Sequence, residues 1–139
     1  MCLDIIETTY PKGIRAGFGY KVFYSYDKKL FGEGLWGDDK ERPANVWLKE
    51  KDYREDAYKD EKYIINAHFV RYRHGFHIFL YLKDAQIWCS PNEVIKKVQY
   101  RKAGALGYQT IYTGRFKTIT GRLKTIVAKE IKILDEEIK

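Results

Sequence analysis

The chain has 139 residues, 45% of them hydrophobic, 16% aromatic and only three proline. That is apolar surface enough to offset chain entropy in one domain, and it excludes a wholly disordered protein. The formal net charge of +7 is unevenly placed: residues 1–93 are balanced, whereas 94–139 hold eleven lysines and arginines against four acids.

Charged residues break every apolar run well short of the roughly 20 residues that a membrane-spanning helix needs, so no membrane partner is expected. Asp4 and Glu7 lie where a secretory signal would carry basic residues before an apolar block, which argues for a cytoplasmic location. Cys2 and Cys89 are then expected to remain thiols in a reducing compartment.

In chain order, residues 18–36 are rich in aromatic and β-branched residues around Asp27-Lys28-Lys29, which predicts two strands joined by a turn. Residues 37–62 carry mixed charge around Pro43 and read as an exposed excursion, with strand character only at Asn45-Val46-Trp47-Leu48. A strand is expected over 63–73. Gly75 separates it from the apolar run Phe76–Leu82, which is too short and β-rich for a helix.

Leu82, Ala85 and Trp88 recur at helical spacing, predicting a short helix near 82–89 that stops before Pro91. Glu93–Arg101 mixes apolar and basic residues, and Gly104 and Gly107 mark a turn region after it. The last strands are expected at Tyr108–Tyr112 and Lys124–Leu134. In the second, the apolar positions run Ile126/Ala128 and then Ile131/Ile133, a change of register that predicts a bulge or bend. The fold class expected is α+β: a single strand-rich domain over 1–139, mainly antiparallel sheet, with one short helix.

His68, His74, His77 and Cys89 match no metal-ligand spacing, so neither a metal site nor a cofactor is expected. Cys2 would become an N-terminal thiol with its own α-amine as base if Met1 were removed, and His77 could offer an imidazole to a cleft. These two are the catalytic candidates, with Tyr20 and Asp84 as neighbours. Tyr108 and Tyr112 interleave with Arg101, Lys102, Arg115 and Lys117, so rings that stack on bases alternate with cations that neutralise phosphates. These six residues are the anion-binding candidates, and no phosphate-binding glycine loop accompanies them.

Met1-Cys2-Leu3, then Gly75-Phe76-His77-Ile78-Phe79 with Leu82-Lys83-Asp84-Ala85, then Thr125–Ile133 together resemble a group of small phage, prophage and bacterial proteins. That resemblance implies a viral or prophage origin and, for a viral chain, the host cytoplasm. Tyr20-Lys21, Gly75-Phe76-His77 and Asp84-Ala85 also look like small ADP-ribosyltransferase-type folds, although their Ser-Thr-Ser strand and closing catalytic Glu motif are lacking here.

The primary expectation is a phage-type accessory or counter-defence binding protein rather than an enzyme. Its partner would be anionic: nucleic acid, a nucleotide signal or an acidic protein surface. The alternatives are an enzyme built on Cys2 or a His77 cleft, and a structural or assembly subunit that forms homo-oligomers.

Overall fold

A computed structural model of the chain describes residues 3, 5–9, 15–26, 28–31, 41–49, 63–65, 71–73, 75–113 and 118–135. Among these residues nine strands accompany one helix of seven residues. The strands are β1 (Ile5–Thr9), β2 (Arg15–Tyr26), β3 (Lys29–Phe31), β4 (Trp47–Lys49), β5 (Tyr63–Ile65), β6 (Arg71–Arg73), β7 (Phe76–Phe79), β8 (Glu93–Thr113) and β9 (Thr118–Ile133). The helix, α1, spans Leu82–Trp88. The architecture is therefore essentially all-β and antiparallel, which corrects the α+β expectation: the helix forms at its expected place but is only a cover on a sheet.

Strand pairing runs in a circuit. β2 pairs with β8, β8 with β9, β9 with β7, and β7 returns to β2 through Tyr20 opposite Phe79, so four antiparallel strands close a small barrel. β1 extends the sheet on β8, β4 lies on β9 beyond β7, and β3 folds back on β2. The β5–β6 ribbon is a separate pair, so the one strand expected over 63–73 is two.

Closure decides which residues are inside. Phe23, Ile78, Val98, Tyr100, Ile126, Ala128, Ile131 and Ile133 fill the interior, all of them buried. Val22, Phe79, Leu123 and Ala85 form a second layer, where α1 packs on the outer face of the barrel. The rings of Phe79 and Trp88 there lie 6.0 Å apart. Because β7 has the core on one face and the helix on the other, all four of its residues are buried, which explains its unbroken apolar run. Cys89 ends the helix in extended backbone two residues before Pro91.

Gly104 and Gly107 do not end a strand. β8 continues through both for 21 residues, with a register shift between Ala103 and Ala105. Gly107 is needed for close approach, since a Cβ there would collide with the carbonyl oxygen of Ile5 on β1. Gly19 plays a similar part at the closure point, where a Cβ would lie 2.5 Å from Ile78 and 2.8 Å from the Phe79 carbonyl.

The register change foreseen in β9 also has its source in β8. The inward residues pass from Val98 and Tyr100 to Ala103, while those of β9 pass from Ile133 and Ile131 to Ala128 and Ile126. Both strands thus change face at the same level of the hairpin, with Arg101 still opposite Glu130 and Ala103 opposite Ala128. At that level Lys102 adopts φ 59°, a left-handed conformation costing a non-glycine residue about 1 kcal/mol.

No helix among the described residues is long and apolar enough to cross a membrane. Replacing Gly107 by alanine is expected to cost about 2–4 kcal/mol in urea unfolding, because backbone must move. Gly121→Ala, where a Cβ meets nothing within 4 Å, is expected to change stability by less than about 0.5 kcal/mol.

Candidate anion-binding face

Alternation along β8 places Lys97, Gln99 and Arg101 on the outer side of the barrel, beyond the area that α1 covers. Their cross-strand neighbours follow from the register: Phe18 of β2 lies opposite Gln99, Gln99 opposite Lys132 of β9, and Lys132 opposite Trp47 of β4. Phe18, Gln99, Lys132 and Trp47 therefore form one row across four strands. Phe18 is 55% exposed at one end. Three strand spacings, about 14 Å along the sheet, separate it from Trp47 at the other.

Cations lie against both aromatic ends of this row. Lys97 Nζ is 5.5 Å from the Phe18 ring centroid, whereas Trp47 has the Arg101 guanidinium at 3.9 Å and Lys132 Nζ at 5.1 Å. At that distance the guanidinium is in direct contact with the indole ring. Lys49, exposed two residues beyond Trp47 on the same face of β4, extends the positive surface.

Glu130 anchors Arg101 from beneath. Glu130 is 1% exposed, and its carboxylate accepts a hydrogen bond from Arg101 Nη2 at 3.0 Å while pairing with Lys102 Nζ at 2.7 Å. Two successive residues of a regular strand point to opposite faces, so both can reach one carboxylate only because Lys102 reverses the pleat. Burial pushes the Glu130 carboxyl upward in pKa, but hydrogen bonds and charge from Lys102 and Arg101 outweigh it and hold it below its ordinary 4.5. One buried acid is thus held ionised under two cations whose outer sides remain in solvent.

The six expected anion-binding residues divide accordingly. Arg101 and Lys102 meet at Glu130. Tyr108 lies farther along β8, with Lys124 Nζ 5.2 Å from its ring centroid and 3.4 Å from its hydroxyl, and Lys124 also reaches Glu7 at 2.7 Å. That hydrogen bond holds the Glu7 carboxyl below, and the Lys124 ammonium above, its ordinary pKa. Tyr112 belongs to β8 with its side chain outside the described residues, where Arg115 and Lys117 also fall. Phe18, Gln99 and Trp47 were not expected at all, and Lys97 and Lys132 were expected only as part of the regional charge.

Of the two catalytic candidates, only His77 falls among the described residues. Cys2, His68 and His74 lie outside the described residues, and His77 is buried in the middle of β7 at 7% exposure. Its carbonyl accepts a 3.0 Å hydrogen bond from Lys21 Nζ, a buried ammonium close to the rings of Phe23 and Phe76. Asp84 fastens α1 to β9 by accepting the Lys124 backbone N–H at 3.1 Å, and Tyr20 packs into the layer beneath α1. Cys89 is half-buried, its Sγ 3.3 Å from the Glu93 carbonyl. Among the described residues no group of three histidine, cysteine or acidic side chains is placed to hold a metal ion.

Comparison with known proteins finds no matching family model, no matching curated protein and no matching solved structure.

A carboxyl whose folded pKa lies below its unfolded value stabilises the fold above the unfolded pKa, and that stabilisation is lost as pH falls through the folded value. Unfolding followed from pH 7 downward should therefore show a loss of stability below about 4.5 that includes a Glu130 contribution. Glu130→Gln should lower stability at pH 7 by about 1–2 kcal/mol and flatten the acid limb, since the two cations can rehydrate when the charge is removed.

Proposed function

We propose that the chain is a binding protein whose outer sheet face, built on β2, β8, β9 and β4, engages single-stranded nucleic acid. The observation that carries this reading is the row Phe18–Gln99–Lys132–Trp47, flanked by Lys49, Lys97, Arg101 and Lys102. Aromatic platforms separated by cations suit a strand whose bases are unpaired: rings stack on bases while ammonium and guanidinium groups neutralise the phosphates between them. Gln99, in the middle of the row, can donate to and accept from a base edge.

Double-stranded nucleic acid fits less well, because its bases are stacked on each other and cannot lie on Phe18. An acidic protein surface would use the cations but leave the exposed ring of Phe18 without a matching role. The phage-type setting, accessory or counter-defence, rests on the resemblance of short motifs alone.

The test is fluorescence anisotropy with a labelled oligonucleotide of mixed sequence across a salt series. Binding should weaken steeply with salt, and each of Lys97→Gln and Lys132→Gln should reduce the log–log slope by about 0.7. Phe18→Ala, at an exposed position, should weaken binding about tenfold without changing that slope. Equal affinity in all three variants, or equal affinity for the duplex, would overturn the reading.

A further inference from the structure

At one end of the barrel a cleft of about 340 Å³ opens between the β2–β3 turn, the segment 41–44, the start of β8 and the end of β9. It lies around the edge from the aromatic row, lined by Lys96 where the outer face carries Lys97. Its volume is at the lower end of those that hold small molecules and larger than a bare phosphate requires.

Backbone contacts fix its walls. The Arg42 N–H donates to the Leu30 carbonyl at 2.7 Å, the Asn45 N–H to the Ile133 carbonyl at 2.8 Å, and the Leu134 N–H to the Lys97 carbonyl at 3.0 Å. Lys28, in the lining, and Asn45, next to the lining residue Ala44, are left-handed residues with φ 63° and 62°.

The lining has a particular charge. Lys28, Lys29, Lys96 and Arg42 line it together with Glu41 and Asp135, an excess of two positive charges. Arg42, one of the lining residues, is buried at 8% exposure. Leu30 and Val94, both half-buried, give the lining its apolar part, with the buried Ile133 behind them. A phosphate monoester carries about 1.5 to 2 negative charges at neutral pH, which matches that excess. The carboxylates offer acceptors for hydroxyl groups, and Leu30 and Val94 offer apolar contact to one edge of a base.

We propose that this cleft binds a nucleoside monophosphate, free or as the terminal nucleotide of a strand, with the phosphate held by Lys28, Lys29, Arg42 and Lys96. The assignment stands on the cleft alone and does not depend on the sheet-face reading.

Calorimetric titration of the full chain with AMP, adenosine and inorganic phosphate tests it. AMP should bind at least about tenfold more tightly than adenosine and more tightly than inorganic phosphate. Lys29→Gln, at an exposed position, and Lys96→Gln should each weaken AMP about tenfold. An oligonucleotide with a 5′-phosphate that competes with AMP identifies a strand end as the source; one that does not identifies the free nucleotide. Equal affinity for AMP and adenosine, no AMP binding at millimolar concentration, or AMP affinity unchanged in both variants would overturn the assignment. AMP binding in a protein that fails to bind the oligonucleotide on its sheet face would support the cleft and overturn only the sheet-face reading.

Discussion

The rest of the structure depends on a change of face that both strands of the long β8–β9 hairpin make together. A hairpin this long cannot remain flat and also wrap a barrel, so its interior side must pass from one set of alternate residues to the other. The switch falls where Lys102 takes a left-handed conformation opposite the Ala128–Glu130 stretch. Without it, Tyr100 and Ala103 could not both point inward, nor could Ile131 and Ala128.

The same switch has an electrostatic consequence. Two neighbouring residues on each strand lie outside the interior at that level, bringing Arg101 and Lys102 over the carboxylate of Glu130. A buried carboxylate is costly unless paired, and here the pairing offsets the strain of the non-glycine left-handed residue. Arg101, fixed from below, then lies against the Trp47 ring. Fold and candidate function thus share one cause: the bend that closes the barrel also orders the cation at the centre of its exposed face.

Much of the strand content was legible in the sequence. The β2–β3 pair, the strand character around Trp47, the helix at 82–88 and the register change between Ile126/Ala128 and Ile131/Ile133 follow from composition and spacing, because each is local. What could not be read locally was continuity. Gly104 and Gly107 resemble turn glycines, yet they serve a bulge and a close approach to Ile5, a residue about a hundred positions away. The fold class was misread for a related reason, since one helical turn signal says nothing of the barrel on which the helix lies.

The site was only half legible. The basic segment pointed to Arg101 and Lys102, but the aromatic partners come from β2 and β4, and only the cross-strand register brings Phe18 and Trp47 into line with Gln99 and Lys132. Tyr108 neighbours the basic residues only in sequence, whereas in space it lies against Lys124, which pairs with Glu7. The most direct test of the account is an amide and aromatic chemical-shift map of the labelled protein titrated with a short single-stranded oligonucleotide. The account predicts perturbations concentrated at Phe18, Trp47, Lys97, Gln99, Arg101 and Lys132. Perturbations centred instead on Glu7, Tyr108 and Lys124, with the four-strand row unmoved, would contradict it.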